Sequence, residues 1–328
     1  MYRIFDILLK SNISLPELPK VSQGNPSLSF HLLSSTPEKN NALPWFQHWE
    51  TPQGEVTLSF AKNKEYYLRF PYIADFEISE ELDTIFCSPY PAVAEETVRH
   101  LLVDQVIPRV LSGQGRTVLH ASAVRTGEGC IVFLGESGWG KSTLATSFHR
   151  QGKELLTDDC IMFKNINNGV VGIPSYAGSR LWQDSFDCLA LPGDELRGVA
   201  HYSSKKRIVL RRKSEHVEHM FPIVAIFILS APEEGSNSLS LSIDRLSNAR
   251  ATIEFLKNSF QMEMVDKREL LSRLRILAGG TQMNIPVYTL AYTRNLLFLP
   301  TIHKAIEVIT DAICSGHSVN GEETFTEL

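Results

Sequence analysis

Nine consecutive residues constrain this chain more than any others: Gly135-Glu136-Ser137-Gly138-Trp139-Gly140-Lys141-Ser142-Thr143. They fit G-x-x-x-x-G-K-[ST] in full. The apolar run Cys130–Leu134 before them reads as a strand. A helix is expected after them, from about Lys141 to Gln151, with Gly152 at its stop. Glycines at 135, 138 and 140 let the backbone turn round an anion without Cβ clashes. Successive N–H groups then converge into an anion nest, and the helix start adds the positive end of its dipole. All nine residues are therefore expected to line a phosphate cradle. Lys141 would reach the β- and γ-phosphates of a nucleotide as a point charge, and Ser142 would place its hydroxyl on Mg²⁺. The bland alternative is an ordinary glycine-rich turn. Trp139 reads either as an aromatic lid over its own loop or as a surface that stacks on nucleotide or acceptor.

Length and composition narrow the setting. A chain of 328 residues accommodates two domains or one large one. With 43% hydrophobic and 21% charged residues it has ordinary globular composition. A net charge of -5 argues against a general nucleic-acid binder, which needs a dominant basic surface. The cysteines Cys87, Cys130, Cys160, Cys188 and Cys314 form no C-x-x-C pair, so neither a zinc ribbon nor a thioredoxin motif is suggested. An odd, scattered set fits the reduced thiols of a cytoplasmic enzyme. The N-terminus lacks the pattern of a signal peptide. The apolar run near Phe221–Ala231 is too short to span a bilayer and reads as a buried strand, so no membrane partner is expected.

Residues 1–95 read as a β-rich domain. Tyr2–Leu9, Ser27–Leu33, Glu55–Phe60 and Glu65–Phe70 mix β-branched or aromatic residues with polar ones, and Pro and Gly interrupt them. Pro91–Gly113 shows helical spacing through Val93, Val98, Leu101, Leu102, Val106 and Val110. Residues 96–314 are expected to form the second domain. Within it Thr117–Val124 and Cys130–Leu134 read as a hairpin-like pair, and Glu154–Phe163, Val170–Ile173, Ile223–Leu229 and Pro286–Leu290 as strands. Leu246–Leu256, Lys267–Leu277 and Ile302–Ile313 read as helices, and residues 315–328 as a frayed tail.

The strand expected after the loop's helix carries Asp158-Asp159 between Leu155-Leu156 and Ile161-Met162. Adjacent carboxylates in apolar surroundings repel and lose hydration, so a Mg²⁺ ion or a proton-accepting task would explain them; two solvated turn residues are the alternative. His120 lies in Val118-Leu119-His120-Ala121-Ser122, an apolar strand where a lone histidine is by default a satisfied core residue. Ser122 offers a hydroxyl but no hydrolase triad spacing.

Together these pieces resemble the catalytic domain of HPr kinase/phosphorylase over about residues 115–185. The shared features are a histidine-bearing strand, G-x-S-G-x-G-K-S-T, a helix ending near a glycine, and a strand ending in Asp-Asp. That family is similar in fold to ATP-dependent phosphoenolpyruvate carboxykinase and differs from Ras-like P-loop proteins. Leu15-Pro16-Glu17-Leu18-Pro19 and Leu119-His120-Ala121-Ser122-Ala123 look like a divergent HPr-kinase-like branch, some members of which are kinases of lasso-peptide precursors. The resemblance implies an α/β P-loop kinase core of the HPr kinase/phosphoenolpyruvate carboxykinase type behind an N-terminal β-rich domain. It implies ATP and Mg²⁺ as cofactors, with Lys141 on the phosphates, Ser142 and Asp159 toward the metal, Asp158 as general base and His120 beside that base. The acceptor it implies is a serine of a peptide or protein. Family members form rings of subunits, so a homo-oligomer is compatible.

Ile173–Trp182 departs from the family's Leu-Glu-Ile-Arg-Gly-like segment by having no glutamate, so reverse phosphorylase activity is not implied. Arg180 is the best cation there, either for the transferring phosphoryl group or the acceptor, or as an ordinary surface arginine. Lys205-Lys206-Arg207 and Arg211-Arg212-Lys213 form a solvated face or a dock for an acidic peptide. A non-catalytic ATP-binding regulator and a kinase of a small hydroxylated metabolite stay open as alternatives.

Overall fold

The computed structural model describes residues 1–34, 43–45, 47–50, 56–166, 169–176, 178–181, 189, 195–198, 206–209, 220–231, 239–262 and 285–316, the side chains of 56, 179–181, 195–198 and 206–209 excepted. The fold is mixed α/β. The chain divides into two compact units: residues 1–116 with 198–204 and 261–264, and residues 117–197 with 205–260 and 265–328. The first unit thus runs past the boundary expected near residue 95 and takes in the helical segment that ends at Gly113.

The first unit is an eight-stranded sheet among the described residues. Its strands are β1 (Tyr2–Ile4), β2 (Ile7–Ser11), β3 (Leu28–Leu32), β4 (Gln47–Glu50), β5 (Val56–Lys62), β6 (Tyr66–Phe70), β7 (Ala74–Ile78) and β8 (Thr84–Pro89), in the order β1-β2-β3-β8-β7-β6-β5-β4. Phe60, Leu68, Phe76 and Cys87 are paired in register from β5 to β8, and all are fully buried. This transverse apolar row fixes the register, because a one-residue slip would turn each member to the other face. β7 was not expected from the sequence. Its Asp75 sits in a strand because Arg69, opposite it on β6, donates to both carboxylate oxygens at 2.8 and 2.6 Å. The helical segment comprises α1 (Glu95–Leu101), a π-helical stretch Leu102–Val106 and α2 (Ile107–Gly113).

The second unit holds β9 (Thr117–His120), β10 (Ser122–Thr126), β11 (Gly129–Leu134), α3 (Lys141–Arg150), β12 (Leu155–Thr157), β13 (Cys160–Ile166) and β14 (Gly169–Pro174). Next come β15 (Ser179–Leu181), β16 (Glu195–Gly198) and β17 (Lys206–Val209), a separate three-stranded sheet. β18 (Phe221–Leu229), β19 (Leu241–Arg245), α4 (Asn248–Asn258), β20 (Val287–Tyr292) and α5 (Leu299–Cys314) complete it. In the main sheet β11, β18 and β20 run parallel; the other pairings are antiparallel. β18 is buried along most of its length, which is why it reads as a continuous apolar run rather than an alternating one. Phe133, Phe148 and Phe227 stack in one fully buried cluster that fastens α3 to the sheet.

Three expected strands are each broken in two. Tyr2–Leu9 divides at Phe5-Asp6, Thr117–Val124 at Ala121, and Glu154–Phe163 at Asp158-Asp159. The last two breaks coincide in space: the Ala121 amide donates to the Asp159 carbonyl at 3.2 Å. β9 therefore pairs with β13, while β10 pairs with β11 and β12. β8, β19, the short β4 and the strands β15–β17 were also absent from the sequence expectation. The expected helix Lys267–Leu277 lies outside the described residues, as does the tail beyond Gly316. Among the described residues no helix is long and apolar enough to cross a membrane.

Candidate functional site

The glycine loop leaves β11 and enters α3, the context expected for it. Gly135, Gly138 and Gly140 have φ of +140, +88 and +93°, conformations that L side chains rarely adopt. Space is restricted at two of them. A Cβ on Gly135 would lie 3.2 Å from the Leu229 carbonyl and 3.3 Å from the Trp139 ring; one on Gly140 would lie 3.4 Å from the Tyr292 hydroxyl. A Cβ on Gly138 would meet nothing within 4 Å among the described residues. Glu136, Ser137 and Gly138 are exposed, whereas Trp139, Gly140, Ser142 and Thr143 are half-buried. Trp139 packs against the apolar cluster that includes Phe148.

Lys141 is 5% exposed, and its ammonium donates to the carbonyls of Gly135 at 2.5 Å and Glu136 at 3.1 Å. The side chain thus folds back along the loop and ties its two ends together. At the first residue of the loop, the Gly135 amide donates to Asn258 Oδ1 at 3.2 Å, and Asn258 Nδ2 donates to the Glu254 carbonyl at 2.8 Å. Asn258 was not foreseen, since a single Asn at a helix end carries no motif.

The acid pair leaves the sheet at the same end as the glycine loop. β11 and β12 flank β10 and both run antiparallel to it, with Val132 and Thr157 each opposite Ala123. Gly135 and Asp158 therefore emerge from strands two spacings apart, about 10 Å between strand axes. Both carboxylates are buried, Asp158 at 2% and Asp159 at 8% exposure, so the alternative of two solvated turn residues is not what the fold contains.

Ser122, Tyr176 and His120 are among the side chains that meet the pair. Ser122 donates its hydroxyl to Asp158 Oδ1 at 2.7 Å. The Tyr176 hydroxyl lies 3.4 Å from Asp159 Oδ2 and donates to it. His120 Nδ1 is 3.0 Å from the Asp159 carbonyl. A carbonyl only accepts, so Nδ1 carries a proton in this contact. The ring is further held edge-on to Phe260 with centroids 6.3 Å apart. His120 and Ser122 reach the pair because the strand breaks between them. Ser122 and Tyr176 were not assigned roles from the sequence; neither sits in a recognisable spacing with the acids.

Arg180 lies on β15, whose side chains are outside the described residues; its backbone pairs with Arg207 of β17. Lys205 and Arg211-Arg212-Lys213 are likewise outside them.

The residues present fit a phosphate group and a hard divalent cation. The donors near the loop are backbone amides, one ammonium, a hydroxyl at Ser142 and two carboxylates, all nitrogen donors for anions or oxygen ligands. Among the described residues no group of three or more His, Cys, Asp or Glu forms a cage for a metal. Mg²⁺ is held elsewhere by one or two carboxylates with phosphate oxygens and water, so oxygen ligands of this number suffice.

No protein-family model matches the chain, and neither does any curated protein. Among solved structures it matches the Hpr(Ser) kinase/phosphatase from Coxiella burnetii at 16% identity and a TM-score of 0.30, over 61% of this chain and 95% of that one. A likeness at that level carries no argument for function. The chain is mixed α/β, with a strand–glycine loop–helix unit and a buried, hydrogen-bonded acid pair at one end of the same sheet.

Proposed function

We propose that this chain is an ATP-dependent phosphotransferase that moves the γ-phosphoryl group to a hydroxyl, a serine of a peptide or protein. The observation that carries the reading is the shared sheet end: the glycine loop and Asp158-Asp159 leave parallel-running β11 and β12 on either side of Ser122. ATP would lie with its β- and γ-phosphates on the Gly135–Thr143 amides and the Lys141 ammonium. Mg²⁺ would be held by Ser142 and Asp159 and would neutralise charge on the phosphates.

Asp158 would accept the proton of the acceptor hydroxyl, and Ser122 holds it for that task through Oδ1. His120, anchored through Nδ1, would present Nε2 beside the base. Arg180 would contact the phosphoryl group or the acceptor. The transition state of such a transfer is loose, so positioning and charge neutralisation outweigh covalent chemistry. Two buried acids at the sheet end where the loop emerges favour a catalyst over a nucleotide switch, which needs only the loop.

Incubation with γ-labelled ATP, Mg²⁺ and serine-bearing peptides encoded beside this chain, followed by mass spectrometry of the labelled product, tests the reading. Lys141→Ala should abolish transfer. Asp158→Asn should keep ATP affinity within a few-fold and cut turnover by orders of magnitude; wild-type turnover in that variant would remove Asp158 as base.

A further inference from the structure

A cation outside the glycine motif lies against it with hydrogen-bonding capacity unspent. Arg294 follows β20, two residues past its last residue Tyr292. β20 runs parallel to β18, and β18 to β11, so Arg294 and the glycine loop lie at the carboxyl end of the same parallel strands. In open α/β sheets that is the end at which ligands collect. The contact with the loop is close: a Cβ added to Gly140 would lie 3.9 Å from Arg294 Nε and 4.0 Å from Cζ.

The guanidinium is fixed on two sides. Its Cζ lies 3.9 Å from the Tyr292 ring centroid, and Nη2 donates to the Ser230 carbonyl at 2.6 Å. Ser230 is itself tied to β20, its amide donating to the Leu290 carbonyl at 3.0 Å. Tyr292 is 7% exposed, and burial raises its phenol pKa although the charge of Arg294 and a side-chain hydrogen bond with it oppose the shift, so it stays a neutral ring. Stacking engages the face of a guanidinium, whereas its N–H bonds point outward in the plane. Nε and Nη1 are buried and have no hydrogen-bond partner among the described residues. A purely structural arginine would leave two costly orphan donors there.

We infer that Arg294 is a phosphate-binding residue of the nucleotide site, donating Nε–H and Nη1–H to oxygens of the polyphosphate chain held on the glycine loop. This rests on the proposed nucleotide site and adds a second fixed cation to it, one supplied from 153 positions further along the chain than Lys141. The fork geometry suits two oxygens at once, and its orientation is set before the ligand arrives, so little conformational freedom is lost on binding. Arg294 would act in binding and in holding the phosphates in line, with no proton transfer.

Calorimetric titration of the full chain and its variants with Mg²⁺·ATP, inorganic tripolyphosphate and adenosine tests this. Arg294→Gln should weaken ATP and tripolyphosphate by the same factor, about tenfold or more, as expected for a lost charge-assisted pair of hydrogen bonds. It should also lower the salt dependence of ATP binding and leave adenosine unaffected. Arg294→Lys should recover part of the loss. Unchanged tripolyphosphate affinity in Arg294→Gln would overturn the inference, as would a loss confined to adenosine. Wild-type protein that binds neither ATP nor tripolyphosphate would instead refute the nucleotide site itself. Urea midpoints of each variant separate a fold defect from a binding defect: a Gln variant whose binding loss disappears at temperatures where it is fully folded also overturns it.

Discussion

Asn258 Oδ1 accepts the amide of Gly135, so the last residue of α4 holds the first residue of the glycine loop, 123 positions away. The same side chain donates back to the Glu254 carbonyl, which fixes its amide orientation and makes Oδ1 the acceptor. The loop is therefore shaped from outside its own sequence as well as by its glycines.

Asn258→Ala should leave the Gly135 amide buried without a partner. An orphaned buried donor costs about 1–3 kcal/mol, so the urea midpoint should fall with the m-value unchanged. ATP affinity should fall too, because the loop's entry is released. Chemical denaturation and calorimetric ATP titration on one preparation read both effects.

Gly138→Ala and Gly140→Ala should differ. Both positions have positive φ, for which a Cβ costs about 1–2 kcal/mol. Only Gly140 adds contact with the Tyr292 hydroxyl and Arg294. The Gly140 variant should thus lose more ATP affinity than the Gly138 variant; equal losses would mean that crowding at Tyr292 does not matter.

Ser122→Ala removes a hydroxyl that donates to Asp158 Oδ1 from a fully buried position. A hydrogen bond to a charged group contributes about 1.5–3 kcal/mol. Phosphoryl transfer should slow roughly tenfold or more with ATP affinity unchanged, since Ser122 orients the base and touches no phosphate in this scheme. Single-turnover rates with labelled ATP measure it.

His303, on α5, couples the loop's helix to pH. Its Nε2 lies 2.7 Å from Ser147 Oγ of α3, and the Ser147 hydroxyl already donates to the Leu144 carbonyl, so Nε2 carries the proton. Nδ1 is buried without a partner among the described residues, with the Phe148 ring centroid 4.1 Å from the imidazole, and burial lowers the pKa to about 4. The folded state thus resists protonation that the unfolded chain accepts below about 6.5. Between those values the unfolded state binds more protons, so stability falls as pH drops from about 6.5 to about 4, by on the order of 2 kcal/mol, and is restored in full above that window. His303→Leu should flatten this part of the curve of urea midpoint against pH.

The glycine loop was legible because its determinants are local. Glycine spacing, the following Lys-Ser-Thr and the flanking apolar run all act within a dozen residues, and backbone sterics alone make such a segment turn inward at a helix start. The acid pair was visible as a chemical anomaly, two carboxylates among apolar residues, but its partners were not. Ser122 and His120 reach it from 36 and 39 positions upstream, and only because β9–β10 and β12–β13 break at matching points. The strand carrying Asp75 escaped notice for a related reason: the arginine that makes its burial tolerable is recognised only once β6 and β7 are paired.

The sequence by itself determined the glycine cradle, the apolar strands that frame it and the presence of two acids close behind it, because each depends on neighbours along the chain. Only the tertiary structure decided which side chains complete the site: Asn258 on the loop's entry, Ser122 and Tyr176 on the acids, Arg294 beside Gly140. Those contacts are set by strand order and register: Arg294 meets the loop because the parallel strands β11, β18 and β20 present their carboxyl ends together, and Ser122 meets the acids because β9–β10 and β12–β13 break at matching points.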